Sequence, residues 1–126
     1  MATKPSSAPR GLGRNNEPSV LILTSLASGT KHGYALTKDI EAFAGVTLGP
    51  GTLYGAISRL EERGLIEPTG GDERRRPYRI TASGLAALTE AVRAMRSLAD
   101  EGALRLGLGA LARVVGADPA PIGWAR

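Results

Sequence analysis

Gly49-Pro50-Gly51-Thr52-Leu53-Tyr54-Gly55-Ala56-Ile57-Ser58-Arg59-Leu60-Glu61-Glu62-Arg63-Gly64, followed at once by Leu65-Ile66-Glu67-Pro68-Thr69, is the stretch on which the fold turns. Gly49 is an acceptable N-cap and Pro50 suits the first helical position, where its missing N–H costs nothing. Leu53, Ile57 and Leu60 recur at helical spacing and form an inward stripe. Gly64 stands where a helix reverses into a left-handed C′ residue. The apolar period then changes from about 3.6 to 2, so a helix here runs directly into a strand.

Downstream, Pro77-Tyr78-Arg79-Ile80-Thr81 reads as a second strand, with Tyr78 and Ile80 on one face and Arg79 on the other. Between the strands lies a Gly70-Gly71-Asp72-Glu73-Arg74-Arg75-Arg76 loop, a flexible hairpin carrying three consecutive arginines. Thr81 is a plausible N-cap for a long helix from Ala82 to about Glu101. Along it Leu85, Leu88, Val92, Met95 and Ala99 recur at alternating spacings of three and four, a heptad-like seam. One side of that seam is expected to pack on the preceding domain near Leu85 and Leu88, and the rest to meet a second copy. Ala103 to Val115 is apolar but interrupted by Gly107 and Gly109.

Upstream, Leu36, Ile40 and Phe43 share one face of a helix that starts near His32-Gly33 and closes at Gly45. Before it, Pro18 opens a helix apolar on most sides through Val20, Leu21, Ile22, Leu23, Leu26 and Ala27. The order is therefore helix, helix, helix, hairpin, helix. The fold class is mainly α with a small β-hairpin: a winged helix-turn-helix plus a C-terminal dimerisation helix. The expected organisation is a disordered basic tail over 1–16, a DNA-binding domain over 17–81, a dimerisation helix with apolar extension over 82–116, and a flexible tail over 117–126.

Composition narrows the function. The 126 residues include only 4% aromatics, so the core is built mainly from Leu, Ile, Val and Ala, and the net charge of +4 makes polyanions the expected partners, nucleic acid first and an acidic membrane surface second. Cys is absent, which removes disulfides, thiolate catalysis and Cys-ligated zinc. His32 is the single His, and no nucleophile triad, phosphate loop or metal cluster can be assembled, so neither an enzyme nor a cofactor is expected. No apolar run approaches the roughly 20 residues that span a bilayer, and the N-terminus lacks a secretory apolar core, so the cytoplasm is the expected location.

The third helix has the chemistry of a DNA reader. Thr52, Tyr54, Ser58 and Arg59 lie off the inward stripe and can donate to phosphates or base edges, and the first acids are Glu61 and Glu62. Arg74, Arg75 and Arg76 would meet the neighbouring backbone. Plainer roles exist for each: Tyr54 as a core aromatic, Arg59 paired with Glu62, the arginine run as a solvated loop beside Asp72 and Glu73. The competing function is a winged-helix protein–protein interaction module without specific DNA binding.

His32-Gly33-Tyr34-Ala35-Leu36, Gly49-Pro50-Gly51-Thr52-Leu53-Tyr54, Arg59-Leu60-Glu61-Glu62-Arg63-Gly64-Leu65-Ile66 and Tyr78-Arg79-Ile80-Thr81-Ala82-Ser83-Gly84 together resemble the PadR family of bacterial transcriptional regulators over roughly residues 17–95. The resemblance implies a homodimeric repressor joined through its C-terminal helix and bound to double-stranded DNA. It places Pro50, Thr52, Tyr54 and Ser58 on the recognition helix, Arg74 to Arg76 on the wing, and Tyr34 on a tyrosine typical of the second helix. The chain departs from the family pattern at Gly49, often Ser, and at Gly55, often Pro. Some relatives respond to small aromatic or lipophilic effectors. The absence of aromatics between Tyr78 and Trp124 leaves a small-molecule effector without support in this sequence.

Overall fold

A computed structural model describes residues 17–71 and 76–108. The element order is α1 (Pro18–Leu26), α2 (Gly33–Ala44), α3 (Pro50–Glu62), β1 (Ile66–Pro68), β2 (Tyr78–Ile80) and α4 (Ala82–Leu106). This is the expected winged helix-turn-helix with a following helix. The N-terminal tail, the segment after Leu108 and Arg74 and Arg75 of the loop lie outside the described residues. The chain divides into two compact units between Thr89 and Glu90.

In the first unit α1 is the central element because it is apolar nearly all round. Leu21, Ile22, Leu23 and Leu26 are buried, and α1 packs on α2, α3 and β2. Ser25 is buried with them at 1% exposure and donates a hydrogen bond to Asp39 Oδ2 of α2 at 2.6 Å. The Lys31 ammonium donates to the Ser25 carbonyl at 2.6 Å and stands 3.9 Å from Asp39. A cation just past the end of α1 thus meets both a last-turn carbonyl of the helix and a carboxylate. Ser25→Ala is expected to lower stability by about 1.5 kcal/mol, the loss of a hydrogen bond to a charged group. Urea denaturation with an unchanged m-value would show it.

Leu36 and Ile40 of α2 are fully buried, but Phe43 is 47% exposed, against expectation. It shares their azimuth but stands in the last turn of the helix. There Val46 and the buried Leu48 of the link pack against the core instead. In α3 the inward stripe is Leu53, Ile57 and Leu60, joined by a fully buried Ala56. The helix ends in a Schellman motif. Gly64 N–H bonds to the Glu61 carbonyl at 3.0 Å, and Leu65 N–H bonds to the Leu60 carbonyl at 2.9 Å. This needs Gly64 at φ 74°, the left-handed region that glycine enters without steric cost.

The reversal delivers the chain into β1, which pairs antiparallel with β2 in the register Ile66↔Ile80, Glu67↔Arg79, Pro68↔Tyr78. The ladder is shorter than the two five-residue runs read from the sequence. Pro68 has no N–H to give its partner. Tyr78 spends its backbone groups on the other side, exchanging hydrogen bonds with Lys31 at 2.9 and 3.1 Å. The turn between α1 and α2 therefore acts as a third edge of the wing, a long-range pairing that the local polar pattern around Lys31 does not suggest. Across the ladder Arg79 Nε donates to Glu67 at 3.0 Å, an exposed pair of small energetic worth.

Thr81 does cap α4: its Oγ1 accepts the Gly84 N–H at 3.0 Å and donates to the Gly64 carbonyl at 2.7 Å. Leu88 is buried in the core of the first unit, while Leu85 is half exposed. The helix does not stop near Glu101. It runs through Gly102 to Leu106, with Arg105 Nε donating to Glu101 at 2.7 Å, and turns at Gly107. A lone glycine costs a helix only about 1 kcal/mol relative to alanine, which neighbouring good helix formers overcome. In the second unit Val92, Leu98, Leu104 and Leu106 are exposed, and Met95 is partly so.

Candidate nucleic-acid interface

The outer side of α3 carries Thr52, Tyr54, Ser58 and Arg59, all exposed, over an inner side of buried Leu53, Ala56, Ile57 and Leu60. Its first turn holds no acidic residue. The positive end of the helix dipole and its unpaired N–H groups are therefore open to an anion. Arg59 enters no ion pair among the described residues, so the pairing with Glu62 is not formed. A Cβ at Gly55 would sit 3.6 Å from Arg59 Nη1, so the guanidinium lies back along the helix over Gly55 toward the acid-free end. At the other end Ser58, Glu61 and Glu62 line a shallow cleft of about 280 Å³, which holds the first acids of the helix.

Tyr34 on α2 is 68% exposed, and Lys38 Nζ stands 5.7 Å from the centre of its ring. Tyr34 and Pro50 and Tyr54 of α3 come together around one cleft of about 350 Å³, with Gly33, Thr37, Leu48 and Leu53 completing its walls. Tyr54 is not a core aromatic. The residue is 48% exposed, yet its hydroxyl end lies against Gly33.

Arg76, the described member of the arginine run, is half-buried just before β2. Its charge acts on the phenol of Tyr78. Burial, joined by the negative charge of Glu61, raises the pKa of that phenol above the usual value of 10.0, and the positive charge of Arg76 opposes the rise. Arg76 thus sits at the base of the wing, near the C-terminal half of α3. Of the apolar seam, Leu88 is taken up by its own unit, and Leu85, Val92, Met95 and Ala99 keep exposed surface. Leu106 lies on the same seam, two heptads beyond Val92. Its place there is visible only once α4 is seen to pass Gly102.

The sequence model of the transcriptional regulator PadR-like family matches residues 22–90. The chain belongs to this family. PadR regulators are non-enzymatic, so the single His and the empty catalytic inventory have a common explanation. The transcriptional regulator Rv3488 of Mycobacterium tuberculosis is 45% identical over 83 residues, 64% of this chain and 77% of that protein. A 37.1 kDa protein in transposon TN4556 of Streptomyces fradiae is 41% identical over 85 residues, 68% of this chain but 25% of that protein. This chain thus spans about a quarter of that longer relative. A crystal structure of a PadR family transcription regulator from Clostridium difficile R20291 superposes with a TM-score of 0.61 at 25% identity, covering 73% of this chain and 98% of that one. The family match ends at residue 90, so α4 beyond that point lies outside the matched region. Among the described residues no helix is long and apolar enough to cross a membrane.

Proposed function

We propose that this PadR regulator binds double-stranded DNA sequence-specifically as a homodimer and represses transcription from an inverted-repeat operator in the cytoplasm. The observation that carries the reading is the acid-free N-terminal half of α3, with Thr52, Tyr54, Ser58 and Arg59 exposed on one side, the arginine outside any ion pair among the described residues. A helix of this kind fits the major groove, where the Thr52, Ser58 and Arg59 donors meet base edges and the exposed ring of Tyr54 offers an apolar contact. Tyr34 and Pro50 border the same cleft and would meet the adjoining backbone, and the arginine run would follow it from the wing. The exposed seam of Leu85, Val92, Met95 and Ala99 supplies a face for a second copy, and two copies suit two half-sites about one helical turn apart.

The test is a fluorescence-anisotropy titration at physiological salt, comparing DNA upstream of this protein's own gene with a random duplex. Tighter binding to the upstream DNA by about 4 kcal/mol or more marks a specific regulator. Failure to bind either duplex would leave the protein-interaction module as the better reading. Changing Arg74, Arg75 and Arg76 together to Ala is expected to weaken binding to all duplexes and to flatten the salt dependence. The slope of log K against log salt should fall by about 0.9 for each phosphate no longer neutralised. An unchanged slope would remove the wing from the interface.

A further inference from the structure

Gly33 opens α2 in ordinary helical backbone, so nothing in its own conformation calls for glycine. It is nevertheless buried, and the space that a Cβ would take is filled by one side chain. The Tyr54 hydroxyl overlaps it, with Tyr54 Cζ at 2.9 Å and Cε1 at 3.4 Å, and no backbone atom is among these neighbours. Elsewhere in a helix an alanine is preferred to glycine, because glycine loses more backbone freedom on folding. The missing Cβ at position 33 therefore serves the tyrosine of the next helix.

We infer that Gly33 is a positioning residue for Tyr54: it seats the phenol end against the first turn of α2, which locks the two helices of the helix-turn-helix together and turns the exposed face of the ring, rather than the hydroxyl, toward DNA. Discrimination between operators then depends on the pair. The inference rests on the DNA-binding reading for that last consequence, while the seat itself does not.

A four-protein cycle tests it: the natural chain, Gly33→Ala, Tyr54→Ala and the double variant, each followed by thermal unfolding and by anisotropy against operator and random duplexes. In the natural background Gly33→Ala displaces the ring, lowering the melting temperature and cutting operator affinity by about tenfold, the loss of roughly one good contact. In the Tyr54→Ala background the same change raises the melting temperature, because only the helix preference for alanine remains, and leaves operator affinity unchanged. The same sign of the stability effect in both backgrounds would overturn the seat. A sign reversal with equal operator discrimination by the natural chain and Gly33→Ala would overturn its role in recognition. A natural chain that binds no duplex would refute the proposed function, and the melting temperatures would still decide the seat.

Discussion

Gly84→Ala is expected to destabilise this protein strongly, by about 3 kcal/mol. Gly84 is buried in the first turn of α4. A Cβ there would fall inside the carbonyl oxygen of Leu65 and within 2.7 Å of Ile80 Cγ1. The first contact is with backbone, so no rotamer change can relieve it. Leu65 cannot retreat either: its carbonyl accepts the Thr81 N–H at 3.0 Å, and its N–H closes the Schellman turn of α3. The helix must lift from the hairpin, loosening the Thr81 cap. For a domain of this size the melting temperature should fall by about 12 °C or more. Gly102→Ala is the control. It lies in the same helix with nothing within 4 Å of the added Cβ, and should stabilise by up to about 1 kcal/mol. Equal melting temperatures for Gly84→Ala and the natural chain would mean that α4 does not seat on Leu65.

Val92→Asp is expected to abolish tight operator binding while leaving the winged domain folded. Val92 is 38% exposed, belongs to the second unit and is not part of the buried core cluster of the winged domain. In a dimer seam the introduced carboxylate would bury an unpaired charge in each copy, which is costly enough to separate them. Each half-site would then be bound independently, and affinity would fall by about 10²–10⁴ because the second half-site no longer benefits from a high effective concentration. Sedimentation should show monomers with an unchanged melting temperature. Leu106→Asp should act in the same direction, since α4 carries the seam that far. An intact Val92→Asp dimer would place the contact on another face.

The order of elements was legible from local chemistry. Pro18, Pro50, Gly45, Gly64 and Thr81 mark helix ends by their own backbone preferences or capping groups, and these act over one turn. The alternation through Tyr78-Arg79-Ile80 was equally local, and the structure buries and exposes those residues in turn. The members of the candidate interface on α3 were readable for the same reason: once Leu53, Ile57 and Leu60 point inward, helix geometry decides what points out.

What the tertiary structure decided are the relations between residues distant in sequence. Phe43 has the right azimuth for the core, yet it is left half outside, while Val46 and Leu48 of the link after it pack against the core. Lys31 pairs with Tyr78 across the wing, Ser25 meets Asp39, and Gly84 meets Leu65; none of these pairs shares a local pattern. The hydroxyl of Tyr54 is the clearest case. Its spacing on α3 determines that it leaves the core stripe, but only the packing of α2 against α3 brings its tip to Gly33. Periodicity specifies the direction of a side chain about its own helix axis, whereas its destination depends on the neighbouring element, and that is set by the fit of the whole core.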